Sequence, residues 1–170
     1  MSNKKGFTLV ELLAVIVILA LIMSIAVVSI GGVLQSTRQS TFRESAASII
    51  DGVRTQLLVN NSLSAGSYYF KEGILQKGGK EAPLGGEIVY ASSAPDGSTA
   101  IGDMLYKAGS TAPTCGHNVS SFVTVTQDAN NNLEYKICLS TTGTDNYIIS
   151  NATETELLTN SNSSTWLKNN

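Results

Sequence analysis

The chain begins with a long stretch of apolar residues that carries no formal charge. No Asp, Glu, Lys or Arg occurs in the 26 residues from Leu12 to Thr37, and only Ser24 and Ser29 interrupt the apolar run over 12–30. An α-helix of about 20 apolar residues spans a hydrocarbon core of roughly 30 Å. The pattern therefore predicts a helix that is apolar on all sides and long enough to cross a bilayer.

A helical period continues from Val33 to Val59, but here the residues are apolar on one side only. Apolar positions recur mostly at spacings of three and four, which is typical of an amphipathic helix. They are Phe42, Ala46, Ile49, Ile50, Val53, Leu57 and Leu58. Together the two segments predict one helix from about Thr8 to Val59, roughly 75–80 Å long at 1.5 Å per residue. We expect its apolar stripe to pack against the chain's own globular domain.

Residues 60–170 alternate short runs of β-forming residues with turn residues. Asn, Ser and Gly residues over 60–66 predict the end of the helix. The predicted strands are 68–70, 87–91, 121–126, 133–140 and 146–150, and the predicted short helices are Ile101–Tyr106 and 154–158. Turn residues from Asp128 to Asn132 predict an antiparallel hairpin between the third and fourth strands. A long N-terminal helix packed on a small antiparallel sheet is an α+β fold.

The composition excludes several classes of protein. Hydrophobic residues make up 42% of the chain, charged residues 14%, and the net charge is −2. This charged fraction is well below the roughly 25% typical of soluble domains, which excludes disorder driven by charge. The 11 Lys and Arg residues are scattered, so no specific duplex nucleic-acid partner is predicted. No catalytic constellation or phosphate-binding loop stands out, so we predict neither an enzyme nor a cofactor.

The charges around the apolar run indicate an orientation in the membrane. Lys4 and Lys5 on the short N-terminal side predict that this end stays in the cytoplasm, with the residues after 40 outside. Two ordinary explanations of the run are a secretory signal peptide, with a small-x-small site at Ser24–Ala26, and a single-pass anchor. Neither explanation gives a role to Glu11, an ionisable residue at the edge of the run.

The residues from Gly6 to Leu12, Gly-Phe-Thr-Leu-Val-Glu-Leu, resemble the prepilin processing motif of type IV pilins and pseudopilins. The six-residue leader resembles the type IVa subgroup, and the chain resembles the major pilin of Gram-positive clostridia. The resemblance implies that a membrane peptidase cuts between Gly6 and Phe7 and that Phe7 is then N-methylated. It also implies that Glu11 pairs with a subunit's N-terminal amine and registers each incoming subunit.

The charges of the processed chain are consistent with this resemblance. Cleavage after Gly6 removes Lys4 and Lys5 and leaves 9 basic and 13 acidic residues. The new amine of Phe7 would lie at a helix N-terminus, where the macrodipole disfavours a cation. Glu11 lies four residues on and shares that face of the helix, so its carboxylate can neutralise the amine of its own or a neighbouring subunit. An unpaired charge is costly inside an apolar filament core.

The resemblance also divides the chain into functional parts. These are a cleaved leader (1–6), an apolar helix that serves as membrane anchor and filament core (7–32), the amphipathic half of the helix (33–59), and an extracellular loop and sheet domain (60–170). The subunit would lie in the cytoplasmic membrane with its C-terminus outside, and after assembly it would belong to a pilus on the cell surface.

The resemblance implies the structural subunit, in particular the major pilin, of a filament for twitching motility, adhesion and biofilm formation. Its partners would be copies of itself, a prepilin peptidase and N-methyltransferase, an inner-membrane assembly platform with cytoplasmic ATPases, and host or abiotic surfaces. The alternative within the family is a pseudopilin of a type II secretion or competence machine. The alternative from a different class is a secreted or membrane-anchored binding domain.

The apolar run departs from many type IV pilins because it contains no helix-kinking Pro between Leu12 and Leu34. Gly is about 1 kcal/mol worse than Ala inside a helix, so the pair Gly31 and Gly32 is the local weak point. We predict a bend or a loss of helical hydrogen bonding over residues 26–34 in the filament.

The two cysteines, Cys115 and Cys138, enclose 22 residues. On an exported chain a disulfide between them would contribute about 3 kcal/mol, and many pilins have one near the C-terminus. Two free cysteines are the alternative, and both states stay open at this point. Cys115, His117 and Cys138 would supply three zinc ligands, but no fourth is evident, so no metal site is predicted.

Overall fold

The computed structural model describes residues 8–74, 87–142, 147–159 and 167–169. The chain forms two compact units, one that ends at Arg38 and one that begins at Gln39. The described part of the first unit is helical, and the second combines helices with an antiparallel sheet. The α+β fold predicted from the sequence is confirmed.

Helix α1 runs from Leu9 to Val59 and confirms the helix predicted over 8–59. Its part in the second unit, from Gln39 onwards, has the predicted amphipathic pattern. The buried positions are Phe42, Ala46, Ala47, Ile49, Ile50, Val53 and Leu57. Leu58 was expected in the same stripe but is 59% exposed, so the buried stripe ends at Leu57.

The end of α1 is fixed by backbone capping. Asn61 has a φ of 49°, a left-handed conformation that Asn adopts more readily than most residues. The Asn61 N–H donates to the Leu58 carbonyl at 3.1 Å, and the Ser62 N–H donates to the Leu57 carbonyl at 2.9 Å. This is the Schellman arrangement, which satisfies the last carbonyls of a helix. The predicted end of the helix over 60–66 is confirmed.

Within the described ranges, seven strands form one antiparallel sheet in the order β2-β3-β1-β4-β5-β6-β7. They are β1 Gly66–Phe70, β2 Thr99–Ile101, β3 Leu105–Lys107, β4 Phe122–Gln127, β5 Leu133–Ser140, β6 Tyr147–Thr153 and β7 Leu167–Asn169. Helix α2 spans Glu154–Thr159, and a 3-10 turn spans Glu72–Ile74. Four of the predicted strands and the predicted helix over 154–158 are confirmed, whereas β2, β3 and β7 were not predicted.

Strands β4 and β5 form the predicted hairpin, with Val123 opposite Ile137. In the turn, the Asp128 carboxylate accepts the N–H groups of Asn130 and Asn132, each at 2.8 Å. The hydrogen bond from the Asn132 backbone holds the pKa of the Asp128 carboxyl below its ordinary value. The turn is therefore specified by one acidic side chain that satisfies two backbone donors.

The main core lies between α1 and one face of the sheet, which we call the inner face. Side chains alternate between the two faces of a strand, and the inner-face positions are Tyr68, Phe70, Leu105, Val123, Val125, Ile137, Leu139 and Ile149. Arg54 on α1 adds a polar link. It donates to Glu154 on α2 at 2.7 Å and lies 4.7 Å from the centre of the Tyr135 ring.

The helix predicted at Ile101–Tyr106 is wrong, because this segment is a hairpin of β2 and β3. Ile101 lies opposite Leu105, and Gly102 adopts a φ of 58° in the turn between them. Leu105 pairs with Phe70 of β1 and is fully buried. Burial and pairing with a distant strand therefore outweigh the weak local helix preference.

The strand predicted at 87–91 is also wrong, because the described residues form isolated bridges here, among them the one between Ile88 and Thr141, and no strand. The Val89 N–H donates to the Ser140 carbonyl on β5, whereas the Ala91 N–H donates to the Phe70 carbonyl on β1. Since neighbouring backbone groups of this segment bond to different strands, residues 87–91 do not pair continuously with any one strand.

Candidate functional site

The N-terminus of α1 is closed by two side chains that bond to each other's backbone. The Thr8 N–H and the Thr8 hydroxyl both donate to Glu11 Oε2, at 2.8 and 2.9 Å, and the Glu11 N–H donates to Thr8 Oγ1 at 3.3 Å. This is a capping box, with Thr8 as the N-cap and Glu11 as the third helical residue. The glutamate that the resemblance assigns to subunit pairing therefore also binds its own helix.

Thr8 was not predicted as part of this site, although the sequence carries its signal. The pattern Thr-x-x-Glu immediately before an apolar run is that of a capping box. The pattern recurs at Thr153 and Glu156, where the corresponding hydrogen bonds are 2.9, 3.0 and 3.3 Å long. Because this second box lies in the α+β unit, the geometry at Glu11 has an ordinary structural use that is separate from charge pairing between subunits.

The first half of α1 presents an apolar surface on all of its sides. Each described side chain from Thr8 to Ile25 is exposed, and the large apolar ones range from 48% exposed at Leu19 to 81% at Leu9. Monomeric soluble proteins rarely expose a contiguous apolar surface of this kind. Such a surface is stable in water only when lipid or protein covers it.

Gly31 and Gly32, the predicted helix break, lie inside α1. A Cβ atom at Gly32 would meet no atom within 4 Å, so close packing in the described residues does not account for glycine there. The predicted break concerns the filament and stays a prediction.

The predicted cleavage site, Gly6 and Phe7, lies outside the described residues. Cleavage and N-methylation therefore stay predictions. Among the residues that the structure describes, no helix is both long and apolar enough to cross a membrane. The predicted membrane span is accordingly not confirmed.

Cys115 and Cys138 form a disulfide with their Cα atoms 5.7 Å apart, which decides between the two states left open by the sequence. Cys138 is fully buried on β5, and Cys115 lies between β3 and β4. Because the two sulfurs are bonded to each other, neither can bind zinc as a thiolate beside His117. Within the described ranges, no group of three or more His, Cys, Asp or Glu side chains could hold a metal.

The N-terminal site lies at the start of a long helix that continues into the α+β unit. A helix with an exposed apolar first half, capped at its start through a glutamate, leads into an antiparallel sheet. The sequence motif at the start of this helix supports a type IV pilin-like or pseudopilin-like protein. Residues 1–34 match the family model for the prokaryotic N-terminal methylation motif, which is the type IV prepilin signature. Comparisons with curated proteins and with solved structures give no match.

Proposed function

We propose that the chain is a structural subunit, and specifically the major pilin, of a type IV pilus. Its role is assembly and not catalysis, and the filament would serve twitching motility, adhesion and biofilm formation. The observation that carries the proposal is the exposed apolar half of α1, which lies within the residues that match the methylation motif. Polymerisation would bury this surface among the corresponding helices of other copies.

In this proposal the subunit waits in the cytoplasmic membrane before it is assembled. Its apolar segment would lie in the bilayer and its α+β unit outside, with Lys4 and Lys5 on the cytoplasmic side. A prepilin peptidase would cut after Gly6 and methylate Phe7. The assembly platform and its cytoplasmic ATPases would then move the subunit from lipid into the filament. There the apolar helices of other subunits would replace the lipid around the apolar segment.

Glu11 can serve the helix cap and the subunit contact at the same time. Both cap bonds from Thr8 go to Oε2, and no described residue donates to Oε1. The second oxygen can therefore accept a hydrogen bond from the amine of an incoming subunit. In an apolar filament core, burying an unpaired amine costs much more free energy than burying an amine that is paired with a carboxylate. The pair would therefore favour subunits that are in register.

Mass spectrometry of the mature N-terminus tests this proposal. The chain would be isolated both from sheared surface filaments and from the membrane fraction. We expect N-methyl-Phe7 at the N-terminus and the chain as the principal protein of the filaments. A Gly6→Val variant, which places a side chain at the cleavage position, should keep residues 1–6 and stay out of the filaments.

Three other results would contradict the major-pilin proposal, each in a different way. A methylated Phe7 without the chain in surface filaments would indicate a pseudopilin. An unblocked N-terminus near Val27 would indicate a secreted domain. An intact Met1 in the membrane would indicate a plain anchor.

A further inference from the structure

The segment between β3 and β4 crosses the sheet on the face opposite α1, which we call the outer face. We call residues 109–120 of this segment the strap. Before it, the Ala108 N–H donates to the Ser67 carbonyl on β1 at 2.8 Å. In its middle, Cys115 is bonded to Cys138 on β5, and its sulfur lies 3.8 Å from the Ile149 carbonyl oxygen on β6. The strap therefore reaches from β3 across to β6 and returns to β4.

Two side chains show that part of the outer face is buried. Cys138 and Phe122 are opposite each other on β5 and β4, and they alternate with the inner-face residues Val123 and Ile137. Cys138 is fully buried and Phe122 is 3% exposed, yet neither belongs to the main core cluster. They form a second buried layer on the side of the sheet away from α1, and the disulfide ties the strap to this layer.

The strap makes few covalent or hydrogen-bonded contacts with the sheet. Across the described part of the chain, the links between residues 109–120 and the sheet are the disulfide and the contact of the Cys115 sulfur with the Ile149 carbonyl oxygen, and no backbone hydrogen bond joins the two. The exposed strap positions are Gly109, Ser110, Thr111, Ala112, Thr114, Asn118 and Val119. Backbone hydrogen bonds to the rest of the unit are found again only at Ser121, whose N–H donates to the Val89 carbonyl at 2.8 Å.

The first half of the strap does not pack tightly on the outer face. It borders an open groove of about 620 Å³, whose floor includes Ser67, Thr124 and Thr126 and whose wall includes Ser110 and Ala112. These side chains are small or carry hydroxyl groups, so they bury little apolar area when the strap is in place. Apolar packing among these residues therefore adds little to the disulfide in holding the first half of the strap in place.

We propose that the Cys115–Cys138 disulfide is a redox latch for the strap. A dithiol reductant supplies two electrons and two protons, the S–S bond breaks into two thiols, and the reductant becomes a disulfide. The strap then leaves the outer face, whereas the main core between α1 and the inner face stays folded. The reduced chain would expose Cys138, the Phe122 ring and the floor of the groove.

The latch gives the chain two surfaces, one for each redox state. A newly exported chain that still carries two thiols would present the outer face as a partly apolar surface, and oxidation would cover it. The oxidised chain presents the polar strap instead. The proposal rests on the α+β unit alone and does not depend on the proposed role as a pilin.

Thiol labelling of the full-length chain in detergent micelles tests the latch. In a Cys115→Ser variant, Cys138 is the remaining thiol, and we expect a maleimide to label it within about tenfold of its rate in denaturant. The matched control is Val123→Cys in a Cys115→Ser/Cys138→Ser background. Val123 is also fully buried, but on the inner face of the neighbouring strand, so this thiol should react at least about 100-fold more slowly than in denaturant.

Two results would overturn the proposal. Equal protection of Cys138 and of the cysteine at position 123 would mean that the strap stays in place without the bond. Rapid labelling of both would mean that the bond holds the whole unit together.

If Cys115→Ser does not fold, the oxidised wild-type chain is reduced by a dithiol after folding. Labelling of Cys138 with an unchanged far-ultraviolet circular dichroism spectrum then supports the latch, and loss of that spectrum refutes it.

Discussion

Replacing Glu11 with Gln separates the two roles of this side chain. In the structure, Glu11 Oε2 accepts two hydrogen bonds from Thr8, at 2.8 and 2.9 Å. A capping box accepts Gln as well as Glu, so the amide oxygen of Gln keeps the cap. Gln carries no charge, however, and cannot neutralise the amine of another subunit. Glu11→Ala removes both the cap and the charge.

The expected magnitudes differ enough to identify which role matters for assembly. Loss of a helix cap costs about 1 kcal/mol, which lowers an equilibrium constant by about fivefold. Leaving one charge of a buried pair without its partner costs about 3–5 kcal/mol, or about two to four orders of magnitude. We therefore expect both Glu11→Gln and Glu11→Ala to lower the filament yield to about 1% of wild type or less.

The assay compares the chain in sheared filaments with the chain in the membrane fraction by immunoblot, and mass spectrometry confirms that each variant is cleaved. Thr8→Val is the matched control, because it removes the cap hydroxyl and keeps the carboxylate. Thr153→Val removes the same hydroxyl from the second box, and thermal denaturation then gives the cost of that loss. Wild-type filament yield from Glu11→Gln, or an equal defect in Thr8→Val, would refute the pairing role.

Three further predictions concern the α+β unit. Arg54→Met removes the hydrogen-bonded pair with Glu154, whose side chains are 36% and 33% exposed, and the contact with the Tyr135 ring. It should lower the free energy of unfolding by about 1 kcal/mol in denaturant titrations, with a smaller effect at high salt. Asn61→Gly should raise thermal stability and Asn61→Ala should lower it by about 1 kcal/mol, because φ at this position is 49°. Burial raises the pKa of Tyr90 from 10 to about 12, so the unfolded chain loses this proton first. Stability should therefore fall between about pH 10 and pH 12, and Tyr90→Phe should remove that part of the pH dependence of the melting temperature.

The elements that could be predicted are those whose signal is local. Helix α1 follows from its apolar pattern, and the β4–β5 hairpin follows from the turn at Asp128 to Asn132, whose hydrogen bonds join residues at most four apart. The β2–β3 hairpin could not be predicted in this way. Leu105 is held by Phe70, which lies 35 positions earlier in the chain, so no window around residues 101–106 contains the reason for its structure.

The capping box could be predicted from local sequence, whereas the position of the disulfide on the sheet could not. The capping box of Thr8 and Glu11 spans four residues and could have been predicted from its pattern alone, whereas the pairing role of Glu11 came from the resemblance and depends on other subunits. For the disulfide, strand alternation places Cys138 on the face opposite Val123 and Ile137, but alternation does not say which face meets α1. Only the folded unit shows that Cys138 lies on the outer face. Because of this position, the bond to Cys115 joins the strap to the outer face and does not lie in the main core.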